Sequence, residues 1–175
     1  MTVLRTERLT LRRPAARDLA TFVAYIGTGR ASMNGGPLPP GRAWRAFAAQ
    51  LGQWELNGFG LWAITVTGDD RIRGTCGGWF PGDWPEREIG WSLYDPADEG
   101  MGYAAEAARA AIAHAFDVWG WDTAVSYVHP DNARSRALAL RLGATLDPAA
   151  AKPPAEVPPL VFRHPRPAGT PGGKA

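Results

Sequence analysis

The stretch Glu99 Gly100 Met101 Gly102 Tyr103 Ala104 Ala105 Glu106 decides how the rest of the chain is read. It carries a short strand into an alanine-rich helix through two glycines. A turn of this kind directs backbone N–H groups outward at the positive end of a helix, where they can hold a phosphate without any lysine. Taken alone it has three readings: a phosphate cradle, a glycine turn with no ligand, or a loose Gly-x-Gly-x-x-Ala dinucleotide fingerprint with Asp122 about twenty residues on. A Walker loop is excluded, because no Gly-Lys-Ser/Thr is present.

The flanking sequence argues against the dinucleotide reading. Three strand-like runs precede the turn, Phe59 to Thr67, Ile72 to Phe80 and Glu86 to Leu93. Short turns at Gly68 Asp69 Asp70 and at Pro81 Gly82 Asp83 make these runs antiparallel neighbours. A dinucleotide-binding unit needs parallel strands on both sides of its turn, and too few elements follow here. Downstream, the spacing predicts a helix from Tyr103 to about Trp119, with Ala104, Ala108, Ala111, Ala115 and Trp119 along one narrow face. Small residues on that face let the helix lie close to a sheet. Thr123 to His129 reads as a strand ended by Pro130, and Asp131 or Asn132 can cap a helix that runs to Leu142 before Gly143. Pro153 to Pro159 can be neither helix nor central strand, whereas Leu160 to Phe162 can be a last strand.

Toward the N-terminus, Glu7 to Arg13 alternates as a strand closed by Pro14, and Leu19, Phe22, Val23 and Ile26 share one face of a helix that Gly27 ends. Thr28 to Gly41 is rich in Gly and Pro and reads as a long loop, of the length that is usually functional or mobile. Trp44, Phe47, Leu51 and Trp54 mark a second amphipathic helix that stops near Asn57 and Gly58. The sequence is therefore expected to form one mixed α/β domain over residues 1–164, with 165–175 as a disordered tail.

Composition bounds the function classes. With 45% hydrophobic residues and 8 Trp in 175 residues, the chain can fill one core. No apolar run reaches the roughly 18 residues of a membrane span, and Arg5, Glu7, Arg8, Arg12, Arg13, Arg17 and Asp18 stand where a signal peptide needs an apolar segment. The chain reads as cytoplasmic, without a membrane partner. Cys76 is the only cysteine, which excludes an intramolecular disulfide and a cysteine-cluster metal site, and it reads as a buried thiol. A net charge of +2 with no block of like charges gives little reason to expect nucleic-acid binding.

Four segments resemble the GNAT acetyltransferases and are most similar to the branch named for the ribosomal-protein N-terminal acetyltransferases RimJ and RimL. They are Thr6 to Arg12, Glu88 Ile89 Gly90 Trp91 Ser92 Leu93, Gly100 to Ala107, and Asn132 Ala133 Arg134 Ser135 ending at Leu142 Gly143 Ala144. The matches keep family order across most of the chain. The resemblance implies a mainly antiparallel central sheet of about six to seven strands flanked by about four helices. In that sheet a splayed strand pair forms the acetyl-CoA cleft, the strand at Glu88 to Tyr94 diverging from the next one at a bulge. Backbone groups near Leu93 would pair with the pantetheine arm, and an N–H there would polarise the thioester carbonyl. The pyrophosphate would sit on the amides of Gly100, Met101, Gly102, Tyr103 and Ala104, and Asn132 and Ser135 would hydrogen-bond coenzyme A. As plain structure, Asn132 is a helix cap and Ser135 a first-turn polar residue.

Two departures from the family stand out. Gln or Arg is common three residues before the first glycine, and a basic residue between the glycines; here those positions are Ala97 and Met101, with Asp98 and Glu99 adjacent, and two carboxylates beside a pyrophosphate are unfavourable. Many relatives also place a proton-donating tyrosine where Ala139 stands, and Ser135 is the replacement to test. The implied reaction is direct attack of an amine on the acetyl thioester. An α-amine, with a reference pKa of about 7.7 to 8, is already partly neutral near pH 7, whereas a lysine at about 10.4 needs more help. Glu88 is the best candidate to take the proton, with an edge carboxylate as its plain reading. His114 and His129 read as structural. The acceptor pocket is expected from Ser32 Met33 Asn34 Gly35 Gly36 and from the hairpin bearing Trp79, Phe80 and Trp84, although these aromatics can equally be core and rim packing. Acetyl-CoA is thus the expected cosubstrate, an amine the acceptor and no metal is expected, in a monomer or homodimer. The rival reading is a catalytically weak acyl-CoA-binding or interaction module on the same fold.

Overall fold

A computed structural model describes residues 3–168. Among these residues the chain forms β1 (Leu4–Arg5), β2 (Leu9–Arg12), α1 (Leu19–Ile26), α2 (Pro40–Asn57), β3 (Leu61–Val66), β4 (Asp69–Trp79), β5 (Glu88–Leu93), α3 (Tyr103–Asp117), β6 (Val125–Val128), α4 (Ala133–Arg141), β7 (Thr145–Leu146) and β8 (Leu160–Arg163). The strands make one sheet in the order β1-β2-β3-β4-β5-β6-β8-β7. Every neighbouring pair is antiparallel apart from β5 and β6. The sheet is the mainly antiparallel one expected, with four α-helices. Its eight strands exceed the expected six or seven because β1 and β7, two residues each, are too short to carry a periodic signal.

Local chemistry sets the element ends. Val66 pairs with Asp69, so the β3–β4 hairpin turns on Thr67 and Gly68 alone and β4 begins earlier than Ile72. Gly68 adopts the positive φ of 90° that a two-residue hairpin favours. The segment expected as a long loop holds a 3-10 turn at Gly29–Asn34, and α2 starts at Pro40, where the missing N–H costs nothing. Asn132 is the cap of α4, its Oδ1 accepting from the Ser135 N–H at 3.0 Å. Of the C-terminal segment read as a tail, Arg166 lies over the Phe116 ring, 4.9 Å from its centroid, and donates to the Trp121 carbonyl. Residues 169–175 lie outside the described residues.

Aromatic stacking locks the helices to the sheet. Trp62 of β3 stacks on Trp119 with centroids 4.8 Å apart, while Trp54 of α2 meets Trp62 edge-on at 5.3 Å. Of the expected small-residue face, Ala108, Ala111 and Ala115 are fully buried together with Ala107, while Ala104 is half-buried and α3 ends at Asp117, short of Trp119. Cys76 is buried in the same core, and burial pushes its thiol pKa up. His114 lies edge-on to Trp62 and Trp119, in the structural setting expected of it. Space for these rings comes from glycines in β4. A Cβ at Gly78 would stand 2.8 Å from Phe59 and 3.0 Å from Trp119 and Trp121, and one at Gly77, where φ is 146°, would stand 2.5 Å from the Gly60 carbonyl. Gly77→Ala is therefore expected to cost about 3 kcal/mol, combining overpacking with backbone strain. Thermal unfolding should show a melting temperature lower by roughly 6–12 °C.

The sheet divides at β5 and β6. These strands pair at Glu88–Val125, and the Ser126 hydroxyl then donates to the Ile89 carbonyl at 2.6 Å in place of the next ladder bond. Beyond that point the strands part. The expected bulge is not what separates them, since β4 and β5 keep unbroken register from Gly74–Leu93 to Trp79–Glu88. The divergence belongs to β6, which is held instead by antiparallel pairing to β8 over Val125–Val128.

Candidate active site

A cavity of about 750 Å³ fills the gap between the parting strands. Ile89 to Ser92 of β5 form one wall, and Ser126 to His129 the other. Glu88, Asn34, Trp79, Trp84, Asn132 and Ser135 all line it, so the structure brings together most of the side chains that the sequence singled out. Phe80 does not line it and packs instead against the Phe59–Trp121 cluster. Three contributions were not anticipated: Phe22 and Tyr25 of α1, Ala46, Ala49 and Gln50 of α2, and the proline-rich segment 153–159. His129, read as structural, is in the lining, with its Nδ1 accepting from the Asp131 N–H at 3.2 Å.

Glu88 opens β5 beside the one bridge between the diverging strands. Its Oε2 accepts from the Trp84 indole N–H at 2.7 Å. Desolvation pushes its carboxyl up to about 7, against the pull of hydrogen bonds from Trp84 and from the Tyr127 backbone. A carboxyl poised there can hold or release a proton at neutral pH. Asn34 donates to the Tyr25 hydroxyl at 2.8 Å, and Tyr25 stacks on Tyr94 with centroids 4.4 Å apart. Trp84 meets Tyr127 edge-on.

Ser135 lies on the first turn of α4. Its hydroxyl oxygen accepts from the Trp91 indole N–H at 3.3 Å, which leaves its own hydrogen free to donate. Ala139 is fully buried among Val128, Ala144 and Phe162, so a tyrosine there would have to enter a filled core. Behind the wall, His164 Nε2 lies 2.8 Å from the Ser126 hydroxyl. Because that hydroxyl donates to Ile89, the imidazole supplies the hydrogen to it and is fixed as the Nε2–H tautomer. Burial holds the His164 pKa down at about 4, so the ring stays neutral.

The glycine turn stands outside the cavity lining, as does Leu93. Gly100 and Gly102 have φ of 76° and 81°, the left-handed region that favours glycine, and Gly102 is the N-cap of α3. The first amides of α3, at Tyr103 and Ala104, have no carbonyl within the helix to meet and can receive an anion. Leu93 presents its carbonyl to Arg30, which also donates to the Tyr94 carbonyl.

Arginines from distant segments surround this turn, and the sequence reading missed them. Arg8 donates to the Met101 carbonyl at 2.8 Å, pairs with Glu106 at 2.7 Å and lies over the Tyr103 ring. Glu99 is clasped by both Arg30 and Arg134, and Asp98 is buried against Arg73 at 3.1 Å. The two carboxylates that looked hostile to a pyrophosphate are therefore neutralised by ion pairing. The Glu99–Arg134 pair also ties the N-terminus of α3 to that of α4, so two helix N-termini and exposed guanidinium groups converge at the open end of the splayed strands. Arg8 and Arg134 lay inside segments already singled out, but they and Arg30 reach the turn only through tertiary folding. This donor set suits the phosphates of a nucleotide-bearing coenzyme. Among the described residues no group of three His, Cys, Asp or Glu side chains is arranged for a metal ion, and no helix is long and apolar enough to cross a membrane.

Comparison with known proteins gives a concordant result. Residues 8–145 match the model of a family described as the acetyltransferase (GNAT) domain. The chain is similar to the solved structure of an acetyltransferase from Agrobacterium tumefaciens, with 38% identity, 95% of each chain covered and a TM-score of 0.88. It is similar in fold to a GNAT-family acetyltransferase structure from Bordetella pertussis, with 24% identity over 94% of this chain and 100% of that one, TM-score 0.77. It also matches RimL, a ribosomal alpha-N-protein acetyltransferase solved in complex with coenzyme A, with 14% identity, 94% and 98% coverage and a TM-score of 0.74.

Proposed function

Because the chain belongs to the GNAT acetyltransferase family, we propose that it moves an acetyl group from acetyl-CoA to a primary amine by direct attack in a ternary complex. The observation that carries this reading is the cavity itself, in which Glu88 and Ser135 line one space between strands that pair at Glu88–Val125 and then part. The coenzyme's phosphates would be received by the amides of Gly100 to Ala104 with Arg134 and Arg30 alongside, and Asn132 keeps an amide N–H₂ free while its oxygen caps α4. Acetyl-CoA supplies the activated acyl group. Glu88 takes the proton from the attacking amine, directly or through water. The Ser135 hydroxyl, oriented by Trp91, donates its hydrogen toward the departing sulfur. Backbone N–H groups of β5 near Leu93 polarise the thioester carbonyl.

A RimJ/RimL-like role, with a protein N-terminal α-amine as acceptor, agrees with the names of several structural neighbours, among them a ribosomal-protein-serine acetyltransferase from Vibrio cholerae. A small-molecule amine is the alternative. Titration with acetyl-CoA, followed by thiol release against a panel of amines, tests the whole reading. Saturable binding with amine-dependent release of free thiol is the expected result. Tight binding without release on any amine would leave an acyl-CoA-binding module, and absence of binding would overturn both readings.

A further inference from the structure

The walls of the cavity carry an uneven set of charges. Its acidic side chains are Glu88 and Glu156, and none of its lining residues is lysine or arginine. His129 also lines it, its Nδ1 accepting from the Asp131 N–H. The arginines lie elsewhere: Arg8, Arg30 and Arg134 are engaged around the glycine turn, outside the cavity. The cavity wall is therefore anionic to neutral.

The neutral part of the wall is aromatic and apolar, with Phe22, Tyr25, Trp79 and Trp84 facing a cavity large enough for a ring-sized group. An ammonium placed against that wall would meet the carboxyl groups of Glu88 and Glu156 with no competing cation among the lining side chains. A carboxylate would meet the opposite environment. It would lose its hydration beside Glu88 and Glu156, with no guanidinium or ammonium in the lining to replace that hydration.

We propose that the acceptor is a primary amine on an apolar, ring-sized body that bears no carboxylate near the amine, so that free amino acids are excluded. This assignment rests on the acetyl-transfer reading for its chemistry but on the cavity wall for its selectivity. The same acceptor chemistry can come from a small arylalkylamine or from a peptide N-terminus whose first residue is apolar, where the carboxyl group is already an amide.

Three acceptors that share ring and amine test it: phenethylamine, phenylalanine amide and phenylalanine. Thiol release with acetyl-CoA should give kcat/KM at least about 100-fold higher for the first two than for phenylalanine. Phenethylamine controls for amine basicity, since its amine is no easier to deprotonate than that of phenylalanine. Activity on phenylalanine within about threefold of both others would overturn the proposal while leaving acetyl transfer intact. Melting temperature in saturating coenzyme A provides a readout independent of turnover. Stabilisation by the amide and phenethylamine but not by phenylalanine supports the proposal even if no amine is acetylated, in which case acetyl transfer alone falls. Stabilisation by phenylalanine equal to that by the others, or by none of the three, overturns it. A dipeptide amide beginning with phenylalanine separates the two sources: faster turnover than phenethylamine assigns a peptide N-terminus, and slower turnover a small amine, either order upholding the charge rule.

Discussion

Glu88→Gln is expected to lower kcat/KM toward amines by about 100-fold at neutral pH, the usual scale for removing a general base. The substitution keeps the shape of the side chain and leaves an amide oxygen that can still accept from the Trp84 indole, so the wall of the cavity should survive. The pH dependence is more diagnostic than the loss. With its carboxyl pushed up to about 7, wild-type kcat/KM should rise through an apparent pKa near that value as Glu88 ionises, and the variant should lose this limb. Stability should move the opposite way. The folded-state pKa lies above the unfolded one, so the native protein binds more protons between about pH 4.5 and 7 and loses stability as pH rises through that window. At pH 8 the glutamine variant should therefore melt a few degrees higher than wild type, while at pH 4 the two should coincide. A variant with full activity and an unchanged pH profile would remove Glu88 from the chemistry.

The second large effect is expected at the glycine turn. Gly102→Glu should raise the dissociation constant for acetyl-CoA by at least about 100-fold, equivalent to roughly 2.7 kcal/mol. The new carboxylate would stand at the head of α3, where amides and helix dipole receive an anion, and it would also claim Arg8, whose Nη2 lies 3.1 Å from the position of the added Cβ. The chain should still fold. Arg8 is the far end of a flexible side chain, and the cost of a non-glycine residue at φ 81° is about 1–2 kcal/mol, or a few degrees in melting temperature. Gly102→Ala isolates this strain from the charge and should weaken binding by no more than about tenfold. Isothermal titration of both variants, with circular dichroism to confirm folding, decides the matter, and retained affinity in Gly102→Glu would mean that the turn does not hold the coenzyme.

Much of this architecture was legible because its signals are local. Gly100 and Gly102 announce a backbone that other residues avoid, Asn132 announces a cap, and the alanines of α3 announce a helix pressed onto a sheet. What was not legible depends on partners far apart in the chain. Asp98 and Glu99 looked like a defect because Arg73 stands 25 residues before one, and Arg30 and Arg134 stand 69 and 35 residues from the other. Gln50 and the segment 153–159 carry no motif, and only the packing of α2 and of the stretch before β8 against the cleft reveals them as walls. The splay was foreseen, but its cause was not: β4 and β5 stay in register, and it is the commitment of β6 to β8 that draws it away.

That commitment makes one wall of the cleft depend on a strand that follows it in the chain. Among the described residues β8 is the last strand in chain order, yet it lies between β6 and β7, which precede it. Until residues 160–164 emerge, β6 is joined to the rest of the sheet through the Glu88–Val125 bridge and the Ser126 hydroxyl, and that hydroxyl still lacks the hydrogen donated by His164. A nascent chain can thus hold the glycine turn with Arg8, Arg30 and Arg73 around it while Arg134, on α4, and the opposite wall of the cleft still wait for β8. The β6 wall of the cleft is thus anchored to the sheet by the last of the described strands to be made.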